Sequence, residues 1–242
     1  MANSVPLTEI EHAVDAPLRI GVVVVEGLST DRYPESFDTL LESVMEGRRE
    51  ELTEEDDAWR MAVRDVFRNG RYKPTGRGKP ASEYLLGAAR KDAFPRINSI
   101  VDVCNLVSLS FILPISVCDL DRAGSSEYLV RLGSAGESYV FNSAGQEIDL
   151  EDLIVGCVVD GEGNSTPIIN AVKDCMATKT TPDSSRVMAL LYAPLEDPFD
   201  RLGNAVEMFS HLASGCGSDV EFAAAVLMPG EAVELRPGAA DS

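Results

Sequence analysis

At 242 residues and 26.1 kDa, with 45% hydrophobic and 25% charged residues, the chain has the makeup of one or two folded domains. That balance excludes a collagenous, disulfide-dense or largely disordered protein. Its charge of −19, from 21 Lys and Arg against 40 Asp and Glu, argues as an average against a nucleic-acid partner, because phosphate backbones are bound through counterions released around Lys and Arg.

No stretch approaches the roughly 18 to 20 consecutive apolar residues of a spanning helix, so no membrane partner is expected. Glu9, Glu11 and Asp15 precede the first Arg at position 19, the reverse of a secretory leader, and the expected location is cytoplasmic. Cys104, Cys118, Cys157, Cys175 and Cys216 form an odd set without a C-x-x-C pair and read as buried thiols. With His12 and His211 the only histidines, neither a metal site nor a Ser-His-Asp triad has material, and no metal or cofactor is expected.

In chain order, residues 1–17 read as a loose tail and Arg19 to Val25 as a buried strand. Phe37, Leu40, Leu41, Val44 and Met45 recur at helical spacing opposite Glu35, Asp38, Glu42 and Glu46. A second helix, about 53–69, starts at Thr53, with Trp59, Ala62, Val63, Val66 and Phe67 on one side and Arg60, Arg64 and Arg68 on the other. The loop Gly70 to Pro80, GRYKPTGRGKP, follows. Ser82 caps a helix through Ala89, and after Phe94-Pro95 a longer helix runs from about Asn98 to Phe111. Short strands are expected at Ile115 to Cys118, Tyr128 to Leu132, Ser138 to Asn142, Val155 to Val159, Pro167 to Ile169 and Val187 to Tyr192. A helix from about Pro198 to Ala213, a strand near Glu221 to Leu227 and a second tail at 231–242 complete the chain. Helices followed by many short strands point to an α+β fold, helices on antiparallel or mixed sheet, in a single domain over 18–230.

The charge is unevenly spread. Between Arg60 and Arg96 ten Lys and Arg stand against three Asp and Glu, a local +7 that leaves −26 elsewhere. One reading is a solvated face. The other is an anion-binding surface, with Arg64 and Arg68 on the helix and Arg71, Lys73, Arg77 and Lys79 in the flexible loop as candidate RNA contacts. It is not a P-loop, since no Ser or Thr follows the Gly-Lys of GKP.

From Arg96 to Asp119 the only charged residue between the ends is Asp102, so this helix should be buried nearly all round. Asn98, Asp102 and Asn105 nevertheless share one face at i, i+4 and i+7. Buried polar groups need partners, and either backbone caps or a ligand supplies them. A third polar stretch, IINAVKDCMATKTTPDSSR at 168–186, carries Lys173, Asp174, Lys179 and Thr180 and suits either turns or a ligand-closing loop.

Together these stretches resemble the tRNA-binding and editing domain, of the B-three/B-four type, of the phenylalanyl-tRNA synthetase beta chain, and more closely its free-standing relatives. The resemblance covers about residues 55–195. Trp59, Arg60 and Arg64 leading into GRYKPTGRGKPASEYLL carry it first, then FPRINSIVDVCNLVSLSFILPISVCDLD at 94–121 with its Ile-Asn, Val-Asp, Asn, Pro and Asp-x-Asp pattern. Gly136-Glu137, the Val158-Val159-Asp160 strand end and Thr178-Lys179-Thr180 follow in the family's order. The resemblance implies a stand-alone protein that binds tRNA and hydrolyses misattached aminoacyl esters in trans, as the synthetase domain does with tyrosine on phenylalanine tRNA. It also implies a pocket histidine and glutamate. The matching histidine position is Ser116, and no glutamate stands in Val187 to Tyr192. Candidates for holding the attacking water are then Asp102, Asn105, Ser116 and Asp174. Asn98, Lys173, Lys179 and Thr180 are candidates for holding the substrate. A non-catalytic module for an amino acid, an aminoacyl end or a protein partner is the alternative, and a small-molecule binder without RNA contact a third. DNA is not an expected partner.

Overall fold

The computed structural model describes residues 7–238. The first half gives β1 (Thr8–His12), β2 (Leu18–Glu26), α1 (Phe37–Arg49), α2 (Glu54–Asp65), α3 (Ala81–Ala89) and α4 (Ser99–Phe111). Then come β3 (Ile115–Asp119), a single helical turn α5 (Leu120–Ala123), β4 (Glu127–Leu132), β5 (Ser138–Val140) and β6 (Glu147–Asp149). β7 (Ile154–Val159), β8 (Ser165–Asn170), β9 (Arg186–Pro194), α6 (Arg201–Ser214), β10 (Glu221–Leu227) and β11 (Ala232–Leu235) follow. The class is α+β, as the order of helices and strands predicts.

One sheet runs β10-β2-β9-β3 with every neighbour antiparallel. The other, β11-β1-β4-β7-β8, is mixed, because β1 lies parallel to β4. β5 and β6 form a separate hairpin. β2 and β9 are central, and Val22 to Val25 and Val187 to Ala193 are fully or almost fully buried. Both faces of these strands are covered, which explains their nearly unbroken apolar runs. α6 covers one face: a Cβ at Gly21 would come within 2.5 Å of Val206 Cγ2, so only glycine admits the helix this close. β7 covers the other, where a Cβ at Gly156 would lie 2.9 Å from Leu190 Cδ1.

α2 starts as its sequence demands. Thr53 accepts from the Asp56 N–H, and Glu54, Glu55, Asp56 and Asp57 set four acids against the positive end of the helix dipole. α4 is capped by the Asn98 side chain, which accepts from Val101 N–H at 3.0 Å, and it ends where Ile112 turns left-handed at φ 55° just before Pro114. α4 is buried along most of its length, as its composition predicts. All five cysteines are buried.

The chain ends differ from the tails read in the sequence. Thr8–His12 and Ala232–Leu235 pair with each other and extend the mixed sheet, whereas residues 1–6 and 239–242 lie outside the described residues. β1 escapes a reading by hydrophobicity because its inward positions are Thr8, Ile10 and His12, two of them polar. His12 is wholly buried: Nδ1 accepts from the Val14 N–H at 3.3 Å, so Nε2 carries the proton and donates to Leu18 O at 3.0 Å. Burial pushes its pKa below the usual histidine value.

Candidate functional site

A partly enclosed cavity of about 220 Å³ opens beside β3, the edge strand of the antiparallel sheet. α4 supplies one wall through Val101, Cys104 and Asn105, and the segment 170–180 supplies the other through Asn170, Lys173, Asp174, Lys179 and Thr180. Ala81, the first residue of α3, borders it as well, held by its N–H to Ala171 O at 3.0 Å. The basic loop therefore runs directly into the cavity wall. The volume is below the roughly 300–1,000 Å³ of drug-sized pockets, which suits a single small group.

Five of the sequence candidates line this cavity: Asn105, Lys173, Asp174, Lys179 and Thr180. Neither the Asn105 amide nor the Asp174 carboxylate makes a side-chain hydrogen bond within the protein among the described residues. Burial pushes the Asp174 carboxyl up to about 6, with the Lys179 ammonium pulling the other way. Asp174 still keeps partial exposure, because it faces the cavity. The two lysines converge on Phe141, at the end of the β5–β6 hairpin. Lys179 Nζ donates to Phe141 O at 2.9 Å, and Lys173 Nζ sits 3.8 Å from the ring centroid. Asn98 reaches the rim, with Nδ2 donating to Thr180 Oγ1 at 3.0 Å.

Asp102 and Ser116 belong elsewhere. Asp102 is fully buried and accepts from Ile97 N–H at 2.7 Å, from Tyr33 O–H at 2.8 Å and from Arg96 Nε at 2.9 Å. Arg96 in turn lies over the rings of Tyr33 and Phe37. The carboxylate thus fixes the entry to α4 and has no part in the cavity wall. Ser116 pairs with the buried Tyr192 hydroxyl at 3.0 Å. Strand alternation decides this: Ile115 and Val117 border the cavity, so the Ser116 side chain points to the opposite face.

The basic residues divide in the same way. Arg64 forms a two-bond fork with Glu83 of α3, its Nε at 2.6 Å, and Arg60 joins the same carboxylate at 3.2 Å. Arg68 pairs with Asp65, and Arg71 with Glu151 at 2.9 Å. Lys73, Arg77 and Lys79 have no carboxylate within salt-bridge distance among the described residues. The local +7 therefore presents three unpaired cations on the loop beside the cavity.

Asn170 is not among the residues singled out from the sequence. Its Oδ1 accepts from the N–H groups of Val172 and Lys173 at 2.7 and 2.8 Å and so shapes the cavity wall. A lone polar residue ending an apolar strand, IIN, is the one signal that marked it.

A model of the B3/4 domain matches residues 73–193, half of the chain, and takes in most of the basic loop, α4, the cavity and all but the last residue of β9. The chain belongs to the B3/4 domain family. The family segment thus contains every cavity-lining residue named above, while β1, β2, α1, α2, α6, β10 and β11 flank it. Among solved structures, an N-terminal fragment of the phenylalanyl-tRNA synthetase beta subunit from Pyrococcus horikoshii is similar at 11% identity and a TM-score of 0.43. That similarity covers 83% of this chain and 46% of the fragment, so this B3/4 protein spans less than half of its length. No curated protein matches the sequence. No described helix of this B3/4 protein is long and apolar enough to cross a membrane.

Proposed function

We propose that this B3/4 protein binds the aminoacyl end of tRNA and hydrolyses a misattached amino-acid ester in trans. The observation that carries the reading is Asp174: an acid in a small cavity, without a hydrogen-bonding partner among the described residues, whose pKa burial pushes up to about 6. Such a group is mostly ionised at neutral pH and basic enough to take a proton from water, the balance a general base needs. Asp174 accepts one proton of a water held with Asn105. The water oxygen bonds to the ester carbonyl carbon, and the ester C–O bond breaks. The departing ribose oxygen takes a proton back. Lys73, Arg77 and Lys79, on the loop leading into the cavity wall, would contact phosphates of the tRNA end. An aminoacyl ester is already activated, so one positioned water and one base suffice without the histidine and glutamate that the family resemblance implies.

A specific observation favours a second reading, a binding module without turnover. Two of the four water-holding candidates, Asp102 and Ser116, are spent on structural contacts. The two readings separate in a deacylation assay with the purified protein and a panel of mischarged tRNAs. Release of amino acid above the spontaneous rate, lost in Asp174→Asn, supports the hydrolase. Binding without release across the panel leaves the module. Absence of both sinks the aminoacyl-tRNA reading.

A further inference from the structure

Three charged side chains border the cavity with bonding capacity unspent, and each is only half-buried, so a ligand can reach it. Among the described residues Asp174 makes no side-chain hydrogen bond. Lys173 Nζ has neither a hydrogen bond nor a carboxylate partner, and Lys179 Nζ makes one bond, to Phe141 O at 2.9 Å. An ammonium has three donors and a carboxylate about four acceptor sites, so most of this capacity is left for a ligand. Opposite charges around a small space attract strongly. Lys179 is near enough to pull the Asp174 pKa down against burial, yet no ion pair joins the two. The hairpin of β5 and β6 explains the gap. Met176 N–H donates to Val140 O at 2.9 Å and Tyr139 O–H to Lys173 O at 2.7 Å, which fixes the hairpin to the cavity segment. Phe141, the next residue, then holds Lys179 through its carbonyl and Lys173 through its ring, with Nζ 3.8 Å from the centroid. Two ammonium groups are thereby held off a carboxylate on the wall of one cavity.

We propose that the cavity is a zwitterion site that retains the free α-amino acid released by hydrolysis, its ammonium on Asp174 and its carboxylate on Lys173 and Lys179. This assignment rests on the aminoacyl reading of the cavity for the identity of the ligand and adds the fate of the product. Hydrolysis adds water across the ester C–O bond, sends one proton to the ribose oxygen and leaves a carboxylic acid, which gives its own proton to solvent at neutral pH. The ester offers the lysines a neutral carbonyl, whereas the product offers them a full negative charge. Asp174, having handed its proton on, is again a carboxylate and accepts from the α-ammonium. Lys173 gives up only the Phe141 ring when its flexible four-carbon stem turns to the new anion. Hydrogen bonds between charged groups are about twice as strong as neutral ones, so the site holds the product more firmly than the reacting ester group. Free amino acid therefore competes with aminoacyl-tRNA. The three charges read only what every α-amino acid shares, which leaves side-chain selection to apolar wall residues such as Ile115 and Val117.

Calorimetric titration of the full chain tests the site with three probes for each of serine, leucine and tyrosine: the amino acid, its amino alcohol, which lacks the carboxylate, and its deamino acid, which lacks the ammonium. For at least one side chain the amino acid should bind about 10- to 100-fold more tightly than either analogue, the range of one charged hydrogen bond. In the double variant Lys173→Met, Lys179→Met the amino acid should lose that advantage while the amino alcohol keeps its native affinity, a split that damage to the hairpin would not produce. The amino acid that binds should raise the apparent KM of mischarged-tRNA hydrolysis at unchanged kcat. If amino acid and amino alcohol bind alike, or if the preference survives in the double variant, the zwitterion site is wrong. If mischarged tRNA is hydrolysed and no amino acid binds, this inference fails while the aminoacyl reading survives. Preferential binding without hydrolysis supports the site and favours the module without turnover. If neither binding nor hydrolysis occurs with the native protein, the aminoacyl reading fails and this inference with it.

Discussion

Asp102→Asn tests whether this carboxylate serves the fold or the chemistry. The Oδ1 bond to Ile97 N–H survives the change, but Oδ2, which receives Tyr33 O–H and Arg96 Nε, becomes an NH₂ facing two donors. Hydrogen bonds to a charged group contribute about 1.5–3 kcal/mol each, so two lost bonds set an upper range of about 3–6 kcal/mol. Arg96 is 45% exposed and recovers part of its solvation, and the Tyr33 hydroxyl can rotate to accept instead. The expected loss is then about 2–4 kcal/mol, a large share of the roughly 5–15 kcal/mol typical of a domain. Trp59 is the only tryptophan, and its indole donates to Phe111 O at the far end of α4, so its fluorescence reports unfolding of this region. In urea the midpoint should fall by about 1 M or more at unchanged slope. Hydrolysis of mischarged tRNA should persist in the folded fraction. A loss below about 1 kcal/mol, accompanied by loss of ester hydrolysis, would refute the structural role and return Asp102 to the catalytic set.

Three other outcomes follow from the same geometry. The rate of ester hydrolysis should rise with pH through about 6 as Asp174 ionises and level off above it, and Asp174→Asn should remove that limb; a flat profile in the native protein argues against a base there. Replacing Lys73, Arg77 and Lys79 together by alanine should lower the slope of log affinity for tRNA against log salt by about 2–3, whereas Arg64→Ala should act mainly on stability, since its charge is already matched by Glu83. His12 has a lowered pKa in the fold, so the unfolded chain binds its proton first. Stability is full above the ordinary value of 6.5 and declines as pH falls from there toward the folded value. Melting curves of His12→Ala should be lower overall but lack this decline, and an unchanged decline would assign it to other groups.

The sequence carried α4 well. A helix with one internal charge had to be buried, and an Asn before an apolar run had to cap it, because both conclusions depend on local composition. What α4 does with Asp102 was not local, since its partners Tyr33 and Arg96 come from outside the helix and the first lies 69 positions away. Ser116 was misplaced for a related reason: only the pairing with β9 decides which side of β3 an odd or even residue faces. The +7 of the basic stretch is a sum that already includes Glu83, but which cation that acid matches was not local, since Arg64 stands 19 residues before it across the loop. Asp174, by contrast, was legible as a residue type and illegible as a perturbed acid, since the burial that raises it comes from segments assembled only in the fold.

The Glu83 contact has a consequence for any ligand that uses the basic loop. By tying α2 to α3 through Arg60 and Arg64, it closes the intervening segment at both ends, and Tyr72 and Tyr84 brace its interior through the carbonyls of Gly78 and Gly76. Much of the conformational entropy of that segment is therefore surrendered on folding. Lys73, Arg77 and Lys79 can then meet a polyanion with less ordering left to do at the moment of binding, so three cations on a braced loop hold more tightly than three on a free one.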